Sequence, residues 1–462
     1  MEVIDGAVVH PPQASKAPGP RGNLVLGHVG EIERDPLAFL PRCRAEYGDI
    51  VRLRFFVWPG FLLAHPDHVK HVLQDRHTAY DKDNVDWRLM KLVLDQSLLT
   101  SDGEVWLKQR RLMQPAFHRE QVAGFGRIMT DEADRMLTRW RDRGDDDRPL
   151  DVAAEMGRLA MDVVTRALFG TQVDEDAASV GEAVATLNRD FIENGFSLQG
   201  LVSLVTGRPA LGARRSLATL DRIVGKIIAD RRAGRDDGGE GDLLSMLLSA
   251  RDEESGEGMD DRQLRNEVLT LFVAGHETTS NALSWAWYLL SDHPEVFERM
   301  RAELDDVLGD RLPTIDDVPR LTYTRMVLDE AMRLYPPAWA TSRNATEDDE
   351  IGGYPVRRGS VVLLSPWVTH RHPEFWDDPQ RFDPERFTPE RSSGRSRFAY
   401  FPFGGGPHLC IGQTFALTEG VLVLAAVAQR CALELKPGHQ VVPEPGVTVR
   451  PRGGLPMRVA WR

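Results

Sequence analysis

Apolar and polar positions follow two different patterns along the 462 residues of the chain. Near the beginning, residues 50–56 and 60–64 are two alternating apolar segments, which predict a pair of strands. From about residue 66 onward, apolar residues recur at helical spacing. This periodicity predicts helices over residues 66–75, 103–117, 120–141, 156–169, 217–232 and 323–334, and a final long helix over residues 411–431.

The longest predicted helix covers residues 261–291. It is apolar on nearly every face, so we expect it to cross the middle of the molecule. Short strands are expected between residues 341 and 364, followed by a meander over 370–389 and a glycine-rich loop. We expect a mainly α (α+β) fold, with a large helical part and a small β-rich part.

Two polar, acidic loops, residues 233–241 and 252–261, separate the predicted helices in the middle of the chain. At the N-terminus, proline-rich residues 1–22 predict an extended segment. Residues 23–462 are expected to form a single domain, because no repeat or convincing linker divides them.

Composition excludes several classes of protein. Hydrophobic residues at 42% and charged residues at 27% are typical of soluble globular proteins, and no apolar run approaches the ~18 residues of a membrane span. The net charge of −13 argues against nucleic-acid binding. The large excess of arginine over lysine suggests a bacterial source. Three cysteines and the absence of a signal peptide indicate a cytoplasmic protein.

Cys410 is the most reactive candidate residue. It follows three consecutive glycines in the sequence FGGGPHLCIG (residues 403–412) and precedes an apolar helix. Backbone N–H groups and the helix dipole would lower the pKa of its thiol and favour the thiolate that a nucleophile or a metal ligand needs. An ordinary buried cysteine beside a turn is the alternative, and a phosphate-binding loop lacks its Lys and Ser/Thr.

Three further patterns have both plain and functional interpretations. Glu330 and Arg333 share a helix face at i,i+3, which by itself indicates a surface salt bridge. Trp106 and Arg110 share a face at i,i+4. In the long helix, AGHETT (residues 274–279) contains poor helix formers, so we expect a locally weakened helix there. A zinc-protease interpretation fails, because Ser280 stands where the second histidine would be.

The stretch around Cys410 resembles the haem-binding loop of the cytochrome P450 family, Phe-x-x-Gly-x-(Arg/His)-x-Cys-x-Gly. Its fixed positions are filled by Phe403, Gly406, His408, Cys410 and Gly412. Four further family motifs occur in the family's order between Trp106 and Glu419. The resemblance implies the cytochrome P450 fold, with haem b buried between the two parts and Cys410 as the iron ligand.

The same resemblance implies roles on the distal side of the haem. Thr278 would be the alcohol beside the dioxygen site, and Glu277 the carboxylate that supplies protons through water. Ala274 and Gly275 would leave room beside the iron.

Other family positions imply structural or binding roles. Side chains expected at the haem propionates are Trp106, Arg110, His408 and Arg343. Glu330, Arg333 and Arg386 would form a buried network on the proximal side, with no catalytic role.

The implied activity is that of a haem-thiolate monooxygenase, which inserts one atom of dioxygen into a fatty acid, terpenoid, steroid or polyketide. A peroxide-driven haem peroxygenase and a non-catalytic haem sensor are alternatives, and the intact Glu277–Thr278 pair argues against both. Apolar candidates for the substrate pocket are Leu89, Leu92, Val93, Leu98, Ala274, Trp339 and Ala340.

Electrons are expected from a separate redox partner, a ferredoxin with its ferredoxin reductase or an equivalent flavoprotein, since little sequence follows Cys410. Lys108, Arg111 and Arg119 could form a basic docking patch for an acidic ferredoxin, or simply a solvated helix face. We expect a monomer.

Overall fold

The computed structural model describes residues 3–4, 7–8, 16–143, 148–170, 186, 211–233 and 241–462. Most of the predicted extended segment before residue 16, and most of the acidic loop over residues 233–241, lie outside the described residues. The helices within the described part are α1 (Val29–Arg34), α2 (Pro36–Tyr47), α3 (Pro66–Lys70), α4 (Val85–Leu94), α5 (Gly103–Met113), α6 (Arg119–Asp142), α7 (Val152–Phe169), α8 (Leu211–Arg232), α9 (Leu243–Ser249), α10 (Asp261–Asp292), α11 (Pro294–Leu308), α12 (Thr322–Leu334), α13 (Pro366–Thr369), α14 (Pro389–Ser392) and α15 (Gln413–Arg430).

The strands are short, as expected for a mainly helical chain. They are β1 (Val3–Ile4), β2 (Ala7–Val8), β3 (Ile50–Phe55), β4 (Trp58–Leu63), β5 (Tyr80–Asp81), β6 (Leu150–Asp151), β7 (Thr341–Ala345), β8 (Asp349–Ile351), β9 (Tyr354–Val356), β10 (Val361–Leu364), β11 (Cys431–Leu435), β12 (Pro443–Pro445), β13 (Val449–Pro451) and β14 (Pro456–Trp461).

The chain divides into two compact units. The first comprises Met1–Asn84, Ala340–Asp377 and Ser396–His408, and the second comprises Val85–Trp339, Asp378–Arg395 and Leu409–Arg462. The single domain expected over residues 23–462 stays a prediction.

The first unit contains a five-stranded sheet in the order β3-β4-β10-β7-β5. The predicted strand pair 50–56 and 60–64 corresponds to the antiparallel hairpin of β3 and β4, in which Ile50 pairs with Leu63. β10 runs parallel to β4 and antiparallel to β7. A core of buried side chains, among them Phe61, Leu63 and Val362, packs against Val69 of α3.

Helix α10 is the central element of the second unit, as its apolar pattern predicts. Its 32 residues contact α7, α8, α12 and α15. Side chains on all its faces are buried, including Trp285, Ala286 and Trp287 in succession. The helix begins where the Asp260 carboxylate accepts a hydrogen bond from the Gln263 N–H at 2.7 Å. It continues unbroken through residues 274–279, because tertiary packing outweighs the weak local propensity.

A three-stranded sheet in the order β11-β14-β6 lies in the same unit. Within the described residues, no helix is long and apolar enough to cross a bilayer.

Candidate active site

Cys410 lies directly before helix α15, and the backbone N–H groups of Gly412 and Gln413 at the start of that helix favour its thiolate form. Cys410, Cys43 and Cys431 form no disulfide, and Cys43 and Cys431 are buried. Desolvation raises the pKa of the Cys410 thiol, and the two amides and the Arg110 charge oppose this. The expected lowering of this pKa is therefore wrong, because removal of the thiolate from water outweighs its hydrogen bonds.

The glycines before Cys410 are required by close backbone approach. Gly406 has a φ of +65°, and a Cβ there would overlap the carbonyl oxygen of Leu73. A Cβ on Gly405 would overlap the ring of Phe398. This part of the loop therefore has a backbone course that only glycine permits.

Helix α5 brings Arg110 to the residue before the cysteine. Its Nη1 donates to the Leu409 carbonyl oxygen at 2.9 Å, and its Nε donates to Gln114 at 3.2 Å. Burial lowers the pKa of Arg110, and the charge of Cys410 counteracts this. Trp106, one turn earlier on α5, is half-buried.

The other residues expected at propionates or around the thiolate belong to the first unit. Arg343 in β7 is buried and donates to Thr341 Oγ1 at 3.1 Å and to the Ser342 carbonyl oxygen at 2.7 Å. Phe403 and His408 are half-buried in the loop before Cys410. The propionate roles stay predictions.

The Glu277–Thr278 pair lies in the middle of helix α10. Thr278 Oγ1 donates to the Ala274 carbonyl oxygen at 2.6 Å, the local back-bond that threonine can form in a helix. The buried Glu277 carboxylate accepts a hydrogen bond from Thr448. Burial raises the pKa of Glu277, opposed by this hydrogen bond and by the positive charge of Arg450. A buried carboxyl group is thus held beside a threonine hydroxyl.

His276, between Gly275 and Glu277, is a neutral side chain. Desolvation lowers its pKa to about 4, although it hydrogen-bonds to the backbone of Gly157. It therefore contributes no positive charge beside Glu277 near neutral pH.

Gly275 also has a packing role that the sequence did not indicate. A Cβ on Gly275 would lie 2.9 Å from Cγ2 of Val164 on helix α7. The missing side chain thus permits close packing of α7 against α10, and the room beside the iron expected at Ala274 and Gly275 stays a prediction.

Two partners of the site were not found from the sequence. Thr448 precedes β13, and its hydroxyl accepts a hydrogen bond from Asn281 Nδ2 at 2.9 Å. Asn281 is buried in the apolar half of helix α10. A buried amide in an apolar helix is a signal for a polar partner, but it does not identify that partner.

Glu330, Arg333 and Arg386 form a fully buried ionic network. Arg333 Nε and Nη2 bind the Glu330 carboxylate at 2.6 and 2.7 Å, and Arg386 Nε lies 3.3 Å from it. The Asp383 N–H also donates to Glu330 Oε1 at 3.0 Å. The remaining donors of Arg333 bind the carbonyl oxygens of Pro379 and Arg381. The network therefore joins helix α12 to the segment around Arg386.

The family model described as Cytochrome P450 matches residues 17–455. The chain belongs to the cytochrome P450 family. It is 39% identical over 93% of its length to the cyclooctatin synthase of Streptomyces melanosporofaciens, of which 92% is covered. It is 34% identical over 97% of its length to the pentalenene oxygenase of Streptomyces avermitilis, of which 98% is covered.

A solved structure agrees with this assignment. The cytochrome P450DA haem domain superposes with a TM-score of 0.86 at 29% identity, covering 97% of this chain and 98% of that one. The mainly helical P450 fold expected from the sequence is confirmed, and the protein is a cytochrome P450 monooxygenase with a haem cofactor.

The residues around Cys410 fit the haem of a cytochrome P450. In the described part of the chain, no group of three or more His, Cys, Asp or Glu side chains could hold a metal ion. Haem iron would need a single protein ligand, and Cys410, which forms no disulfide and whose thiolate is favoured by two backbone amides, has the chemistry to supply it.

Substrate-pocket candidates of this P450 are apolar but differ in burial. Leu89 and Leu98 are buried, and Leu92, Val93 and Trp339 are half-buried. Ala340, in the first unit, is also half-buried. Trp339 donates to the Gly446 carbonyl oxygen at 2.9 Å.

Glu267 of helix α10 is a second buried carboxyl group that sequence patterns did not reveal. It accepts a hydrogen bond from the Leu98 N–H at 2.9 Å, and burial raises its pKa to about 8. It therefore links the segment after α4 to α10.

The proposed basic docking patch has ion-pair partners within the same unit. Lys108 binds Glu257 at 2.6 Å, and Arg111 binds Asp252 and Glu254 at 2.9 and 2.5 Å. The acidic loop after α9 thus neutralises two of the three charges, which leaves the patch hypothesis with little support.

Proposed function

We propose that this P450 is a haem b-thiolate monooxygenase acting on an apolar terpenoid. The arrangement at Cys410, a cysteine without a disulfide whose thiolate is favoured by two backbone amides, carries the haem-thiolate part of the proposal. A haem held there would supply dioxygen activation and the insertion of one oxygen atom into the substrate, with two external electrons and two protons reducing the other atom to water.

Cys410 would hold the haem iron through its sulfur. Burial raises the pKa of the free thiol, and a bound iron would favour the thiolate form. The Gly412 and Gln413 amides then hold the sulfur in place and moderate its electron donation. Trp106, Arg110, His408 and Arg343 are proposed to bind the propionates, where guanidinium groups match carboxylates.

Glu277 and Thr278 would handle protons on the distal side. Since Thr278 donates its hydroxyl hydrogen to Ala274, its oxygen can accept a hydrogen bond from a group beside it. Glu277 is a buried carboxyl group whose pKa is raised by desolvation, so it holds a proton more readily than an exposed carboxylate does. Both side chains belong to one turn of α10, so proton delivery needs no distant group.

The terpenoid class rests on the relatives. A second relative, the cyclooctat-9-en-7-ol 5-monooxygenase of Streptomyces melanosporofaciens, is 38% identical over 90% of this chain. With the pentalenene oxygenase, its name indicates a cyclic, largely hydrocarbon substrate. The apolar pocket candidates agree with such a molecule.

Electron supply and location complete the proposal. We assign the electrons to a ferredoxin with its ferredoxin reductase, or an equivalent flavoprotein, and place the enzyme in the cytoplasm as a monomer.

The first test is the absorption spectrum of the purified protein, reduced and exposed to carbon monoxide. A strongly red-shifted Soret band is expected for thiolate ligation. It should be lost in Cys410→Ala and retained in the matched variant Cys43→Ala. An unshifted band in folded, haem-loaded wild type would overturn the haem-thiolate assignment.

Substrate class is tested separately by titration with pentalenene and with a fatty acid. We expect a low-to-high spin shift with the terpenoid, and an oxygenated product when a ferredoxin system supplies electrons. A shift with the fatty acid alone would overturn the terpenoid assignment. Product formation with peroxide but not with the ferredoxin system would indicate a peroxygenase.

A further inference from the structure

Two neighbouring turns of the first unit expose an unusual amount of apolar surface. The exposed fractions are 91% for Leu24, 74% for Val25 and 44% for Leu26 in the first turn, and 78% for Val57 and 43% for Trp58 in the second. We call these five residues the apolar tip. Other large apolar side chains exposed in the described part of the chain are Val105, Leu107 and Val442, all outside these turns. A contiguous exposed patch of this kind marks an interaction surface.

The first turn is a closed, rigid loop. Asn23 and Gly27 exchange two backbone hydrogen bonds, of 2.7 and 3.0 Å. The Asn23 side-chain oxygen accepts hydrogen bonds from the backbone N–H groups of Val25 and Leu26, at 2.8 and 3.1 Å. Leu24, Val25 and Leu26 are therefore held at the surface by a local network and cannot fold inward without breaking it.

The second turn is the two-residue loop of the β3–β4 hairpin, Phe56 and Val57. Hairpin loops of this length favour glycine, asparagine or aspartate, because the backbone adopts positive φ. Here Phe56 has a φ of +53°, a strained conformation for a bulky side chain. Apolar residues at this loop do not help the hairpin to form, so they are better explained by what they contact.

Backbone hydrogen bonds join the two turns into one surface. The Phe56 N–H donates to the Leu26 carbonyl oxygen at 3.1 Å, and the His28 N–H donates to the Arg54 carbonyl oxygen at 2.7 Å. The Arg54 guanidinium also binds the Asn23 carbonyl oxygen. The five apolar side chains of the tip therefore lie on one connected part of the backbone.

The charge around the apolar tip is opposite to that of the whole chain. Residues 16–30 and 50–64 contain Lys16, Arg21, Arg52 and Arg54 but no aspartate or glutamate, whereas the chain carries a net charge of −13. Lys16, Arg21 and Arg52 are exposed. In sequence, the acidic residues nearest to these two segments are Glu31 and Glu33 on helix α1, Asp49 directly before β3 and Asp67 on helix α3.

We propose that the apolar tip docks the protein on an anionic phospholipid bilayer surface. Leucine, valine and tryptophan side chains would enter the boundary between headgroups and acyl chains, and the surrounding basic residues would meet lipid phosphates. The tip lacks the length of a membrane span, so the contact would be peripheral and reversible. An acidic protein is a less suitable partner, because the most exposed side chains are the apolar ones.

Vesicle flotation with the haem-loaded full chain tests this proposal. Wild type is expected to float with an equal mixture of phosphatidylcholine and phosphatidylglycerol at low salt, and to float less with pure phosphatidylcholine or at high salt. The double variant Val25→Glu/Val57→Glu should reduce the partition coefficient at least about tenfold. The control Val442→Glu adds one charge at an apolar position outside the tip and should float like wild type.

Folding and self-association must be followed in parallel. The haem spectrum and thermal midpoint of the double variant should match wild type, since both positions are exposed. If the double variant does not fold, Leu24→Ser provides the same test at the most exposed position. Failure of wild type to float, or equal flotation of a folded tip variant, would overturn the proposal. The proposal would also be overturned if wild type self-associated in a concentration-dependent way and the tip variants did not. That result would assign the apolar tip to contact with a second copy of the chain.

Discussion

The hydroxyl of Thr448 bridges two side chains of helix α10, Asn281 and Glu277. It accepts a hydrogen bond from Asn281 Nδ2 at 2.9 Å and donates one to the Glu277 carboxylate. Because the amide nitrogen can only donate, the single hydroxyl hydrogen of Thr448 is directed to Glu277. Thr448 is thus a positioning residue for the carboxylate that we propose delivers protons.

Replacement of Thr448 by valine should raise the pKa of Glu277 further. The lost hydrogen bond stabilises the ionised carboxylate and is worth about 1.5–3 kcal/mol, or about one to two pH units. The limb of the pH–rate profile that reports this ionisation should move to higher pH. The infrared carboxyl band assigned through Glu277→Gln should titrate with the same shift.

Thr448→Ser is the matched control for this prediction, because it keeps the hydroxyl group. In the serine variant, the pH–rate profile and the infrared titration of Glu277 should both return towards those of wild type. An unchanged infrared titration in Thr448→Val would show that Thr448 does not set the ionisation of Glu277.

Gly275→Ala should destabilise the protein through the contact between helices α7 and α10. The new Cβ would lie 2.9 Å from Val164 Cγ2, and such overpacking costs about 1–3 kcal/mol. The change can be measured as the free energy of unfolding in urea. Since the clash involves one side chain, Gly275→Ala/Val164→Ala should cost less than the sum of the two single changes.

Gly124 in α6 offers the opposite control. A Cβ there meets nothing within 4 Å, so Gly124→Ala should stabilise the helix by about 0.5–1 kcal/mol. If Gly275→Ala were equally stabilising, the tight contact with α7 would be disproved.

Glu330→Gln should weaken the buried ionic network severely. Arg333 and Arg386 would keep their buried charges without a carboxylate, a loss of about 3–5 kcal/mol. Urea unfolding measures the change. In the exposed pair Arg357–Asp348, whose atoms are 2.6 Å apart, Arg357→Ala should cost at most about 1 kcal/mol. Similar losses in the two variants would contradict the importance of burial.

The raised pKa of Glu267 predicts that the folded protein loses stability as pH rises. Its folded pKa, about 8, lies above the ordinary value of 4.5, so the folded state binds a proton more tightly than the unfolded state between these values. The free energy of unfolding should therefore fall by an amount on the order of a few kcal/mol as pH rises from about 4.5 to about 8.

In Glu267→Gln this contribution should disappear, because glutamine still accepts the Leu98 hydrogen bond but does not ionise. Urea unfolding at several pH values gives the slope of the unfolding free energy against pH for wild type and for the variant. Glu120→Gln removes an exposed carboxylate of α6 and should leave the slope nearly unchanged. A wild-type slope retained in Glu267→Gln would assign the pH dependence to other groups.

Helix and strand predictions succeeded where local periodicity is strong. Residues 261–291 and 411–431 were predicted as helices and correspond to α10 and α15 within two residues at each end. Helix α11 was not singled out, because only His293 separates it from α10 before Pro294 begins the new helix. The weakness expected at residues 274–279 did not break α10, since packing on all sides outweighs propensity.

Short sequence motifs identified the candidate functional residues, but they did not identify the surroundings of those side chains in the fold. The sequence located Cys410 and the Glu277–Thr278 pair, but it suggested a lowered pKa for the Cys410 thiol. This suggestion failed because desolvation depends on segments far away in the chain. For the same reason the sequence did not reveal the close packing of Gly275 against Val164. Lys108 and Arg111 were expected either in a basic docking patch or on a solvated helix face, and they form ion pairs with an acidic loop far away in the chain.

The sequence by itself determined which side chains share a helix face and which residues form the cysteine loop, because these depend on spacing within a few residues. Only the tertiary structure decided that Thr448 contacts Glu277, that Leu98 contacts Glu267 and that Leu24 and Val57 lie on neighbouring turns. Such contacts join positions far apart in the chain, and the burial that shifts their pKa values arises only when the segments pack together.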